Sequence, residues 1–274
     1  TAGCNLGCRF CQNWDISKAR QVERLSEKAS PEDIALAAKR AGCRSVAFTY
    51  NDPVIFAEYA IDTAIACHDH GVKTVAVTAG YITEEARGDF FRHLDAANVD
   101  LKAFTQDFYK KLCFGDLGPV LDTLAWLKSE TEVWLEVTTL LIPGRNDSED
   151  EIERLCDWFL KNLGAEVPLH FSAFHPDFKF TDVPRTPANS LSRARQIALD
   201  HGLHYVFTGN VHDREGDATH CPGCGAVVIQ RDWYNLLQYS VRGGACAACG
   251  HEIAGVFEDQ PGGWGARRAR VTIP

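Results

Sequence analysis

Cys4-Asn5-Leu6-Gly7-Cys8-Arg9-Phe10-Cys11 decides how the rest of the chain is read. Three cysteines share one short loop at the spacing C-x3-C-x2-C, and an aromatic residue, Phe10, stands directly before the third. No fourth cysteine lies near them in sequence. Three thiolates can hold three irons of a 4Fe-4S cubane and leave the fourth iron open as a reaction site. A zinc knuckle or a disulfide cluster is the plainer alternative. A structural zinc site takes four ligands, and here a fourth would have to come from a distant cysteine. Spacing and flank both favour the iron-sulfur cluster.

Downstream of the loop, strand and helix patterns alternate. Ser30, Pro31 and Asp33 form a helix start, with the serine as cap and the proline at the first helical position. The helix PEDIALAAKRA stops at Gly42. Expected strands follow at residues 45–50, 72–78, 99–104, 132–142, 168–174 and 204–208. Expected helices cover 53–70, 83–97, 117–130, 149–163 and 190–201. This is the βαβ rhythm of a parallel sheet. The six strands, with one more expected before residue 1 together with the natural N-terminus, suit an open, partial (β/α) barrel.

In such barrels the loops after the strands carry the chemistry. Here those loops are polar: Tyr50-Asn51-Asp52-Pro53, Thr78-Ala79-Gly80, Asp100-Leu101-Lys102, Ile142-Pro143-Gly144, His170 through His175, and Gly209-Asn210-Val211-His212. Asp100 and Lys102 are two residues apart, so one strand would present both to the same face, and His170 and Ser172 likewise. A purely structural Asp100–Lys102 ion pair is the competing explanation. Gly80 and Gly144 are equally compatible with simple turns.

The pattern changes after Thr219. Cys221-Pro-Gly-Cys224 and Cys246-Ala-Ala-Cys249 are two C-x2-C pairs 21 residues apart, each followed by glycine, Gly225 and Gly250. The stretch between them is aromatic and strand-like. Four thiolates close a coordination shell, so a structural zinc ribbon is expected, with rubredoxin-like iron as the alternative. Three units are expected: residues 1–212 as barrel, 213–258 as ribbon, and 259–274 as a flexible, Gly-rich, basic tail with Arg267, Arg268 and Arg270.

Composition narrows the class. Hydrophobic content of 45% and charged content of 24% are ordinary for a globular protein. A net charge of −9 argues against a general nucleic-acid binder. No apolar run reaches membrane-spanning length, and no secretory signal opens the chain. Seven of the 11 cysteines fall into metal-type clusters, which fits a reducing, cytoplasmic setting. Cys43, Cys67, Cys113 and Cys156 remain; Cys43 sits at a turn, while Cys67 and Cys156 fall in helical patterns as small core residues.

The run from Cys4 to Ser17, CNLGCRFCQNWDIS, resembles radical S-adenosylmethionine (SAM) enzymes, and in particular the radical SAM component of the AmmeMemoRadiSam system, a relative of pyruvate formate-lyase activating enzymes. The likeness extends through the ribbon to about Glu258. It implies a 4Fe-4S cluster on Cys4, Cys8 and Cys11 and bound SAM. Phe10, Asn13, Asn51, Asp52, Thr78, Gly80, Asp100, Lys102 and Ile142 are then the cofactor-binding candidates. Asn51-Asp52 stands where the family carries a polar-acidic pair for the methionine ammonium, with Asp52 one methylene shorter than the usual glutamate. Thr78-Ala79-Gly80 matches a ribose-contacting turn that usually has asparagine at the middle position. Lys102 would face the SAM carboxylate, and Ile142-Pro143-Gly144 the adenine. Lys102 and His175 are the catalytic candidates. The implied partners are a flavodoxin- or ferredoxin-type electron donor, a Memo-like protein and an AMMECR-type protein. Three functions follow: a radical SAM enzyme with an unknown substrate, a glycyl-radical-enzyme activase, or a non-catalytic zinc-binding interaction protein.

Overall fold

The computed structural model describes residues 2–18, 28–263 and 265–273. After a short helix α1 (Trp14–Ser17), strands and helices alternate as expected. The strands are β1 (Ser45–Phe48), β2 (Lys73–Thr78), β3 (Ala96–Asp100), β4 (Trp134–Leu141), β5 (Leu169–Ala173) and β6 (Val206–Gly209). They form one six-stranded parallel sheet in sequential order, β1 to β6. The intervening helices are α2 (Pro31–Arg40), α3 (Ala57–Asp69), α4 (Glu84–Phe91), the single turn α5 (Gln106–Phe108), α6 (Gly118–Glu130), α7 (Glu149–Asn162) and α8 (Ala188–Asp200). The α/β fold expected from the rhythm is therefore present. No helix among the described residues is long and apolar enough to cross a membrane.

Local chemistry sets the boundaries. At α2, Ser30 Oγ accepts from the Asp33 amide while the Asp33 carboxylate accepts from the Ser30 amide, the reciprocal cap read from sequence. Several expected boundaries move, three of them near the strand ends that matter here. The segment after Asp52 opens as a 3-10 turn (Pro53–Phe56) before α3, because the Asp52 carboxylate caps the Val54 amide. Helix α4 ends at Phe91 rather than 97, because Ala96 and Ala97 are taken into β3 by pairing with Val75 and Ala76. Strand β3 accordingly stops at Asp100, so Lys102 lies in the loop beyond it rather than on the same strand.

The chain divides into two compact units, Thr1–Val137 with Pro176–Pro184 and Arg270–Pro274, and Thr138–His175 with Arg185–Ala269. In the first, Asp95 ties the start of β2 to the start of β3: its carboxylate accepts from the Thr74 amide, Lys73 Nζ and His68 Nε2, each at 2.8 Å. Burial pushes this carboxyl up, but Lys73, His68 and the Thr74 amide outweigh it and hold it near 2. A lowered acid stabilises the fold above its ordinary value of 3.8, and that contribution drains away as pH falls toward 2. Asp95→Asn should therefore lower the melting temperature at pH 7, with the gap to the parent closing below pH 3.8. A gap independent of pH in thermal melts would contradict this origin.

The second unit contains the ribbon. Strands β7 (Thr219–His220), β8 (Val227–Asp232) and β9 (Asn235–Tyr239) make a three-stranded antiparallel sheet. Strands β10 (Val241–Arg242) and β11 (Ala245–Cys246) form a two-stranded one. Val228, Ile229, Val241 and Ile253 pack on Tyr205, Cys221 and Cys246. The apolar core is thus built directly against two of the four cysteines. Beyond Asp259 the described residues contain no helix or strand, and Arg268 lies 5.8 Å over the Tyr234 ring.

Candidate functional site

The three-cysteine loop is fastened to a π-turn, Tyr109–Cys113, that directly follows α5. The Gly7 amide donates to the Cys113 carbonyl at 2.8 Å and the Arg9 amide to the Leu112 carbonyl at 2.9 Å. Lys18 Nζ donates to the Leu6 carbonyl at 2.6 Å. Phe10 is buried between Phe108 at 5.5 Å and Phe180 at 6.4 Å. The aromatic residue before the third cysteine thus anchors the loop by packing. Asn13 is exposed, and its carbonyl starts α1 by accepting from the Ile16 and Ser17 amides.

Each sulfur of the loop has a polar neighbour. The Leu6 amide donates to Cys4 Sγ at 3.4 Å and Ser17 Oγ lies 3.0 Å from Cys11 Sγ, while the turn held by the Gly7 and Arg9 amides sets the Cys113 thiol beside Cys8. Cys113, helped by the charges of Lys102 and Lys18, pulls the buried Cys8 thiol down to about 7. Cys113 is pushed up by Cys8 and by burial. Burial also raises Cys4. No disulfide joins any of them. Metal binds the thiolate form, which the lowering of Cys8 favours. Three free thiols in one locked loop, one of them already acidified, are a donor set that fits an iron-sulfur cluster.

Beside this loop stand the ends of β1, β2 and β3. Lys102 Nζ meets Asp100 Oδ2 at 2.6 Å, and the Lys102 amide is held by Tyr109 Oη at 3.0 Å. Burial alone would lower Lys102, but the Asp100 carboxylate keeps it charged, well above the ordinary lysine range. The fully buried Tyr109 phenol is raised by burial. Asp52 is only 5% exposed and bridges two loops. Its Oδ1 accepts from the Val54 amide at 3.1 Å and Thr78 Oγ1 at 3.0 Å, and its Oδ2 from the Ala79 amide at 2.8 Å. Burial nevertheless raises its carboxyl. The Gly80 amide donates to Thr78 Oγ1 at 3.1 Å, so the Thr78 hydroxyl both donates and accepts. A side chain at Gly80 would put Cβ 2.8 Å from Val99 Cγ1, at a left-handed φ of 64°. Asn51 is buried next to Asp52.

The Asp52 network predicts a measurable cost. Asp52→Ala orphans two amides and a hydroxyl donor in a buried site, each worth about 1–3 kcal/mol. Denaturant unfolding of the metal-free chain should show a loss of several kcal/mol, against little change for an exposed control such as Glu130→Ala. A loss below about 1 kcal/mol would mean the loops hold together without this carboxylate.

Two sequence candidates belong to the second unit. Ile142 is buried, and its amide donates to Asn146 Oδ1 at 2.7 Å, closing the turn after β4. His175 is exposed, just past β5. His170 and Ser172 share a face of β5, as expected, with the His170 ring stacked on Phe207 at 5.0 Å.

The four ribbon cysteines converge: their sulfurs all lie within 4.8 Å of one another, with Cys221–Cys249 at 3.6 Å and Cys224–Cys246 at 3.9 Å. Tetrahedral zinc with bonds of about 2.3 Å requires sulfurs about 3.8 Å apart. Gly225 donates to the Cys221 carbonyl and Gly250 to the Cys246 carbonyl, both at 2.8 Å and both with left-handed backbone, φ 72° and 78°. The Cys249 and Ala248 amides point at Cys246 and lower its thiol to about 7. The donor set fits zinc.

Sequence reading left Cys113 unassigned and did not connect Ser17 or Tyr109 to the loop. A cysteine in the FYKKLC stretch is the available signal, but Cys8 lies about a hundred residues earlier in the chain.

Comparison with known proteins agrees with this geometry. The model of the Radical SAM superfamily matches residues 1–159, which include the cysteine loop and the first three strand ends. An uncharacterized protein of Methanocaldococcus jannaschii is 40% identical over 253 residues, covering 92% of this chain and 75% of that protein. A 4-hydroxyphenylacetate decarboxylase activating enzyme of Clostridioides difficile is 23% identical, over 61% of this chain and 55% of its own length. The chain thus spans about half of that activating enzyme. Among solved structures, a domain of a pyruvate-formate lyase-activating enzyme from Bacteroides vulgatus superposes with a TM-score of 0.53 at 19% identity, covering 61% of this chain and 99% of that domain.

Proposed function

This chain belongs to the radical SAM superfamily, and we propose that it is a radical SAM enzyme of the AmmeMemoRadiSam type, acting on a substrate still to be identified. The reading rests above all on the cysteine loop: three unpaired thiols locked onto the π-turn, with Cys8 acidified beside Lys102. In this reading Cys4, Cys8 and Cys11 hold a 4Fe-4S cluster. With SAM and one electron the cluster supplies reductive cleavage to methionine and a 5'-deoxyadenosyl radical, which takes a hydrogen atom from substrate.

The chain's own residues supply position and charge. Asp52 has one acceptor direction left on Oδ2 after its three internal bonds, enough for one bond from an ammonium group. Asn51 stands next to it as a second polar contact. Thr78 and Gly80, the ribose candidates, form a rigid turn whose Ala79 and Gly80 amides are engaged by Asp52 and Thr78. Lys102, kept cationic by Asp100, is suited to a carboxylate. In the second unit, Ile142, the adenine candidate, is fully buried with its amide on Asn146, and the exposed His175 is a group able to carry a proton. Asn13 and Phe10 act through the loop, Phe10 by packing. The ribbon holds zinc in a structural role.

The electron donor in this reading is a flavodoxin or ferredoxin, and the setting is cytoplasmic. Memo-like and AMMECR-type proteins are the proposed partners. Similarity to an activating enzyme favours a second reading, radical transfer to a glycyl-radical enzyme. A non-catalytic zinc-binding role finds no support in the family match. Anaerobic loading with iron and sulfide, then SAM and dithionite, should yield 5'-deoxyadenosine. A fully loaded chain that releases none rejects the enzyme reading. A glycyl radical signal appearing on an added partner enzyme would select the activase reading.

A further inference from the structure

Every sulfur of the cysteine loop is approached by a donor, and the three donors differ in kind. Cys4 receives the backbone amide of Leu6, which no substitution short of proline removes. Cys11 has the Ser17 hydroxyl at 3.0 Å, and the Gly7 and Arg9 amides, on either side of Cys8, bind the turn that brings the Cys113 thiol next to the Cys8 sulfur. Neither side chain is there by accident of a mobile surface. Ser17 is 6% exposed and closes α1, whose first turn is started by the Asn13 carbonyl. Cys113 is completely buried and ends the π-turn that Gly7 and Arg9 bind through their amides. Such single π-turns cost regularity and collect at functional sites. Here the turn carries the Cys113 side chain to the sulfur of Cys8.

In the free chain either partner of each pair could give the proton. Once Cys8 and Cys11 are bound to iron they are thiolates without a proton, so only Cys113 S–H and Ser17 O–H can donate. Donors aimed at ligand sulfurs bind the more negative, reduced state of a cluster better than the oxidised one. They therefore raise its reduction potential, and such contacts are among the main levers a protein has on it.

We infer that Ser17 and Cys113 are positioning residues that tune the cluster's reduction potential by hydrogen-bonding the Cys11 and Cys8 sulfurs. The inference rests on the cluster reading proposed above. Neither residue ligates iron or touches substrate. Their action is to make entry of the electron easier, without changing which groups bind.

The test is a redox titration of the anaerobically loaded chain, followed by electron paramagnetic resonance of the reduced cluster. Ser17→Ala and Cys113→Ala should each move the midpoint to more negative potential, and the double variant should move it by about the sum, since the donors serve different sulfurs. Cys113→Ser keeps a donor and should return most of the shift, which a purely packing role would not. Iron and sulfide content should match the parent in all of them. Midpoints unchanged in both alanine variants would overturn the inference. Should Cys113→Ala fail to load, Ser17→Ala and Cys113→Ser decide: a midpoint equal to the parent's in Ser17→Ala then refutes it. Failure of the parent chain itself to take up iron and sulfide would instead refute the cluster reading, so the two failures are distinct.

Discussion

Cys8→Ala should abolish cluster loading and, with it, 5'-deoxyadenosine formation, down to the level of a reaction without protein. In the proposed reading the loop supplies three thiolates to a cubane, and two would not hold it. Cys8 is the most strongly prepared of the three: it is buried, neighboured by Cys113, and its thiol is lowered by Cys113 and by the charges of Lys102 and Lys18. Serine at this position should fail as well, because a hydroxyl does not ionise near neutral pH. Cys43→Ala is the matched control, an exposed cysteine outside both clusters, and should load and turn over like the parent. The readouts are iron and acid-labile sulfide per chain and product by chromatography. Retention of a full 4Fe-4S complement by Cys8→Ala would mean that another residue completes the ligand set, and the loop would lose its assigned role.

The second large effect concerns the ribbon. The parent chain should carry one zinc per molecule, and its removal by a strong chelator, or the double change Cys221→Ser with Cys246→Ser, should unfold β7 to β11. Cys221 and Cys246 belong to the ribbon's apolar core, packed with Tyr205, Val228, Val241 and Ile253. Losing the metal therefore leaves sulfurs and their amide donors inside a core too small to hold itself. Structural zinc sites of this kind contribute about 10–16 kcal/mol of apparent binding energy, more than a module of this size can replace. Proteolysis and hydrogen exchange over residues 219–254 should report the loss, with metal analysis in parallel. Unchanged protection there in metal-free protein would show that the ribbon folds without an ion. Iron in place of zinc in the native protein would select the rubredoxin-like alternative.

The sequence by itself determined the elements whose signals are local. The C-x3-C-x2-C loop, the paired C-x2-C turns with their glycines, the Ser30–Asp33 cap and the alternation of strands and helices all depend on residues within one or two turns of each other. Their physics is short-ranged: caps, left-handed glycines and chelate spacing are readable over three to five positions. Boundaries were less legible where pairing between strands overruled local preference, as when Val75 and Ala76 drew Ala96 and Ala97 from helix into β3. Only the tertiary structure decided what surrounds the cysteines. Cys113 has no assigned role in the sequence, and Asp52 reads as a carboxylate for the methionine ammonium. Folding sets Cys113 beside Cys8 and gives most of Asp52's acceptor capacity to Val54, Thr78 and Ala79. Those contacts join residues far apart in the chain, through burial that no local period encodes. They exist because the sheet brings loop ends together and a buried polar group must find its partner there.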